Sequence, residues 1–93
     1  MPSLLQLRKQ IDRLDDRIVA LLNQRLQLAR KVGLIKARNG NKIYDPKREK
    51  EVLSRLLSTQ KGPLNQSELC LIYQNILKIS RKHQKQIAHT NFK

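Results

Sequence analysis

Residues 4–36 read LLQLRKQIDRLDDRIVALLNQRLQLARKVGLIK, and the spacing of their apolar side chains decides the fold. Leu4, Leu7, Ile11, Leu14, Ile18 and Leu21, then Leu28, Val32 and Ile35, recur at steps of three and four. That is the seam one helix lays against another. No proline interrupts the stretch and its only glycine is Gly33, near the end. The pattern predicts a single helix of about 35 residues, roughly 50 Å long at 1.5 Å per residue. A compact chain of 93 residues has a radius of gyration of only roughly 12 Å. A monomer would leave one end of its apolar stripe in water, so the helix needs a cover, either a second copy of the chain or a partner.

Downstream, Asn39-Gly40-Asn41-Lys42 is a turn by its chemistry, because Asn and Gly tolerate left-handed backbone. Asp45-Pro46 reads as an N-cap followed by proline at the first helical position. Val52, Leu53, Leu56 and Leu57 form the apolar face of this second helix, and Gly62-Pro63 stops it. A third helix opens at Asn65, with Glu68 three residues on completing a capping box. Its stripe is Leu69, Ile72, Tyr73, Ile76 and Leu77, continuing towards Ile87. The expectation is an all-α chain of three helices, one very long, at about 4–38, 46–61 and 66–87, forming one undivided domain over residues 1–93. With 3% aromatic residues and three glycines, the chain lacks the β-branched, turn-rich texture of a sheet protein.

A formal net charge of +13 attracts any polyanion without specificity. Its distribution argues against nucleic acid as the partner. Basic residues occur in every segment, with no terminal arm, zinc-finger spacing, aromatic-bearing strand motif or helix-turn-helix pair. Lys78, Arg81, Lys82 and Lys85 make a basic stripe, which at helical spacing is more often a solvated face than a binding surface. No apolar run is long enough for a signal peptide or a membrane span, which points to the cytoplasm. The single cysteine, Cys70, has no intrachain partner and sits among Leu69, Leu71 and Ile72, as a half-buried structural thiol would. Ser80 has no neighbouring histidine, and Cys70 has no local activating charge. His83 and His89 are six apart, not a metal-ligand spacing on one helix face, and read as surface residues near the C-terminus. There is no glycine-rich phosphate loop. No nucleophile, metal site or cofactor site is evident.

Polar residues interrupt the apolar faces instead. Arg25 follows Leu21 by four residues, where the seam calls for an apolar side chain. Lys36 lies eleven residues further, about 20° around the helix and roughly 16 Å along it. Arg8 precedes Arg25 by about 25 Å and is rotated by roughly 100°, so one small ligand reaches both only if Arg8 comes from an antiparallel second copy. Arg48 and Glu49 lie one turn before Val52 and Leu53. Ser80 and Gln84 follow Ile76 at steps of four. Each has an ordinary account taken alone: a snorkelling arginine for Arg25, a solvated helix-end charge for Arg8, pairing with Asp45 or Lys50 for Arg48 and Glu49, and helix–helix hydrogen bonds for Ser80 and Gln84. Together they favour one polar cavity that holds a small anion.

The ordered blocks Leu7 to Asp15, Leu21 to Arg25, Val32 to Lys36 and Asp45 to Glu49, through Ser80 and Gln84, closely resemble the all-helical class of chorismate mutases. The resemblance spans essentially the whole chain. It implies an intertwined homodimer with two shared active sites and the conversion of chorismate to prephenate, with no cofactor, metal or covalent intermediate. By the same resemblance Arg25, with Arg8 of the second chain, would grip the substrate carboxylates. Lys36 would bridge a carboxylate and the ether oxygen, and Gln84 would donate to that oxygen. Glu49 and the backbone around Asp45 would take the ring hydroxyl, with Ser80 and Arg48 completing the pocket. The alternatives are an isochorismate pyruvate lyase on the same scaffold, or a basic helical nucleic-acid-binding protein.

Overall fold

A computed structural model describes the backbone of residues 1–92 and the side chains through Thr90. It consists of α1 (Leu4–Arg38), α2 (Pro46–Thr59) and α3 (Gln66–Phe92), with no strand among the described residues. Each helix start is chemically marked. Ser3 Oγ accepts from the Gln6 amide while Gln6 Oε1 accepts from the Ser3 amide, a reciprocal cap. Asp45 Oδ1 accepts from the Arg48 amide at 3.1 Å, with Pro46 in the first turn. Asn65 and Glu68 exchange the same pair of bonds at 2.8 and 3.0 Å. α2 ends two residues before the position expected from Gly62-Pro63, its last turn closed by hydroxyls that bond back to Arg55. α3 continues five residues past the expected end at 87.

The end of α1 shapes everything after it. Gly40 adopts φ +69°, Gly40 N–H donates to the Ala37 carbonyl, and Asn41 N–H donates to the Lys36 carbonyl. This is a Schellman closure, which only a residue tolerant of left-handed backbone supports cheaply. It reverses the chain immediately beyond Lys36.

The chain is elongated, with a radius of gyration of 16.7 Å and extents of 57 × 26 × 16 Å. α3 packs on the C-terminal half of α1, and α2 rests on α3 but not on α1. Every residue from Met1 to Leu21 is exposed. The seam read from sequence is therefore not the surface that α1 buries within the chain: all nine of its side chains remain 43 to 63% exposed. The stripe that meets α3 is the neighbouring one, with Leu22 and Leu26 half-buried and Ala29 and Gly33 buried. Small residues win there because they let two helix backbones approach closely. A Cβ on Gly33 would stand 2.9 Å from Gln84 Cα and 3.0 Å from its carbonyl oxygen. In α3, Leu69 and Leu77 are buried, but Ile72 of the expected stripe is 47% exposed. Cys70 is half-buried. His83 is half-buried too, its Nδ1 enclosed without a hydrogen-bond partner, so it is not the surface residue expected. Among the described residues no helix is long and apolar enough to cross a membrane.

Candidate active site

Where α1, α2 and α3 converge they enclose a cleft of about 270 Å³. Its apolar walls include Leu28, Ala29, Val32, Ile43, Val52 and Leu77, and its polar lining includes Arg25, Lys36, Asp45, Arg48, Glu49, Ser80, Arg81 and Gln84. Seven of the eight residues singled out from sequence thus meet in one place. The eighth, Arg8, does not. It lies on the exposed N-terminal half of α1, seventeen residues and roughly 25 Å from Arg25 along the helix.

Two polar residues are buried in the whole described chain, Ser80 at 4% exposure and Gln84 at 9%, and each meets a cation from α1. Arg25 Nη1 donates to Ser80 Oγ at 2.6 Å. The guanidinium also lies 5.8 Å from the centroid of the Tyr73 ring, close enough for a cation–π attraction. Because the serine oxygen accepts from Arg25, its own O–H remains to donate. Lys36 Nζ donates to the Ile43 carbonyl at 2.8 Å and to Gln84 Oε1 at 3.3 Å. An ammonium only donates, so it draws the amide oxygen of Gln84 towards itself and leaves the amide NH₂ as a donor at the cleft. The reversal after Lys36 brings the Ile43 carbonyl back to its own helix.

The α2 end is arranged differently from the local pairing considered for it. Arg48 faces Glu51 at 3.8 Å, both side chains more than half exposed, a contact worth little in solvent. The Asp45 carboxylate caps α2. Glu49 does not take Lys50 as its partner. Both of its oxygens accept from Nη1 of Arg81 on α3, at 2.5 and 2.6 Å. Arg81 also stacks on Tyr44, 4.8 Å from the ring centroid. This removes Arg81 from the basic stripe with Lys78, Lys82 and Lys85, and with it much of the case for a nucleic-acid surface. Arg81 is the cleft residue that sequence reasoning missed. The available signal was Glu49 itself, since a carboxylate on an apolar helix face requires a cation. No cluster of metal-ligating side chains occurs among the described residues.

Chemically, the cleft offers two fixed cations, a hydroxyl donor and an amide donor on one side, and a carboxylate acceptor on the other. It suits a small anion that also carries a hydroxyl. Residues 7–85 match the family described as chorismate mutase type II. The bifunctional chorismate mutase/prephenate dehydratase of Aquifex aeolicus is 37% identical over 91 residues, covering 94% of this chain and 25% of that protein. The chorismate mutase of Methanocaldococcus jannaschii is 41% identical over 54 residues, covering 58% of this chain and 54% of that protein. The crystal structure of chorismate mutase from Helicobacter pylori in complex with prephenate is 42% identical and covers 97% of both chains with a TM-score of 0.86. The chain spans about a quarter of the length of the bifunctional Aquifex relative.

Proposed function

We infer, for a chain that belongs to the chorismate mutase type II family, that it rearranges chorismate to prephenate. The observation that carries this reading is the hydrogen bond that Lys36 Nζ donates to Gln84 Oε1 at 3.3 Å, which joins two helices and leaves the Gln84 NH₂ as a donor on the wall of a cleft that also holds Arg25 and Ser80. The reaction is intramolecular. The bond between the ring carbon and the ether oxygen breaks as a carbon–carbon bond forms from the enolpyruvyl methylene to the ring, so atoms and electrons balance without a cofactor.

Arg25 and Ser80 hold one carboxylate of the flexible dianion and Lys36 the other, which restrains the side chain over the ring and supplies the orientation component of the rate. Negative charge grows on the ether oxygen as its bond to the ring lengthens. Lys36 and the Gln84 amide, both preorganised and partly shielded from water, stabilise that charge more in the transition state than in the ground state. Loss of one such donor raises the barrier by about 3 kcal/mol. Glu49 accepts the ring hydroxyl, and the backbone around Asp45 assists. Arg48, exposed and only loosely engaged with Glu51, is available to swing over the bound substrate.

The working unit in this reading is a homodimer. Nine seam side chains stand about half exposed, and covering them is worth on the order of 10 kcal/mol, comparable to the net stability of a whole domain. A second copy packed antiparallel along the seam covers them and delivers its Arg8 to the open side of the cleft. The setting is the cytoplasm, in keeping with the free Cys70 thiol.

The test is the disappearance of chorismate in the presence of the purified protein, with the product identified. Prephenate must form, and Arg25→Ala must lower kcat/KM by at least about a hundredfold. Pyruvate released from isochorismate, with chorismate untouched, would assign the scaffold to lyase chemistry instead.

A further inference from the structure

Arg81 follows Ser80 on α3, yet its guanidinium is folded inward instead of standing in solvent. It is held on two sides, by the Glu49 carboxylate from the first turn of α2 and by the face of Tyr44 from the segment before α2. The side chains of the ion pair are 28% and 20% exposed, so water screens it only in part. On this wall of the cleft the proposed reaction sets two conflicting requirements. A hydroxyl of the substrate needs an acceptor, which a carboxylate supplies well. The same substrate is a dianion, and a bare carboxylate at contact range repels it.

Arg81 reconciles the two. A carboxylate has about four lone-pair sites; Nη1 engages one on each oxygen and leaves acceptor capacity on both. The guanidinium also offsets the negative charge, and its two hydrogen bonds from Nη1 together with its stacking on Tyr44 fix where the carboxylate stands. We propose that Arg81 is a positioning residue of the site, holding the Glu49 carboxylate as a charge-balanced acceptor beside which a dianion binds. The proposal rests on the chorismate rearrangement reading.

The experiment compares the wild-type protein with Arg81→Met, Arg81→Lys and the double variant Arg81→Met/Glu49→Gln, by steady-state kinetics on chorismate and by calorimetric titration with prephenate. Arg81→Met raises KM and the prephenate Kd by about tenfold, the scale of one partly solvated charge contact, while kcat changes by less than about threefold. Adding Glu49→Gln removes the unbalanced charge and brings both constants part of the way back from those of Arg81→Met, because the amide oxygen still accepts a hydroxyl, though less strongly than the carboxylate. Arg81→Lys falls between, keeping the charge but not the planar guanidinium stacked on Tyr44. Circular dichroism verifies helix content. If Arg81→Met does not fold, the double variant and Arg81→Lys decide by the same two constants. Wild-type KM in Arg81→Met, or a double variant weaker than the single one, overturns the proposal and leaves Arg81 a structural brace. A wild-type protein that does not turn over chorismate overturns the rearrangement reading itself.

Discussion

Gly33→Ala sets two well-measured effects against each other. In a helix interior the replacement is favourable by about 1 kcal/mol, since glycine exposes backbone and loses more entropy on folding. Position 33, however, is where α1 meets α3. The added Cβ would lie 2.9 Å from Gln84 Cα, 3.0 Å from the Gln84 carbonyl oxygen and 3.0 Å from Ile87 Cγ2, whereas carbon atoms rest at about 3.5 to 4.0 Å. Two of those three atoms are backbone and have no rotamer to escape into, so the helices must separate by about 0.5 to 1 Å. Overpacking of this kind costs about 1 to 3 kcal/mol, enough to cancel the propensity gain and leave a net destabilisation near 1 kcal/mol. The functional loss is larger. The Lys36–Gln84 bond is already 3.3 Å long, and a further half ångström takes it beyond hydrogen-bonding range. Lys36 cannot simply follow, because its ammonium is also anchored on the Ile43 carbonyl at 2.8 Å. Misplacement of a reacting group by about 1 Å costs roughly a hundredfold. We expect kcat/KM for chorismate to fall by about 30- to 100-fold while the thermal midpoint falls by only a few degrees. A variant with a raised midpoint and unimpaired kcat/KM would refute the close-approach argument.

Two other outcomes follow from the geometry of the cleft. Gln84 has no proton to lose, so the wild type should show high activity across neutral pH. In Gln84→Glu the side chain donates only when protonated, which for an ordinary glutamate means below about pH 4.3; its kcat/KM should therefore rise steeply as pH falls, and a flat profile would remove Gln84 from the ether oxygen. Arg8→Ala and Arg25→Ala chains should each be nearly inactive alone. Mixed after unfolding and refolding, they should recover about a quarter of wild-type activity, because half the dimers are mixed and each holds one intact site; verified heterodimers without activity would show that Arg8 does not serve the other chain's cleft.

Much of the helical layout was legible because it is written in local chemistry. Asp45-Pro46, Asn65 with Glu68, and Asn39-Gly40 each act within four residues, so their effect does not depend on what packs nearby. Arg25, Lys36, Ser80 and Gln84 were legible for a related reason, since polar residues at apolar spacing signal a demand for partners. What could not be read was the partner each one takes. Local chemistry offers Arg48 and Glu49 the partners Asp45 and Lys50, and the structure pairs Glu49 instead with Arg81, thirty-two residues away. Arg81 looked like part of a solvated stripe until α2 was laid against it.

The choice of face on α1 marks the same boundary. Periodicity along residues 4–36 determined that a long amphipathic helix forms and that its seam needs a cover, because backbone hydrogen bonding and side-chain spacing are properties of the segment alone. Tertiary structure decided that α3 would take the stripe of Ala29 and Gly33 and leave the seam of leucines and isoleucines open. Close packing depends on the backbone separation two particular surfaces can reach, and that quantity exists only once both helices are in place.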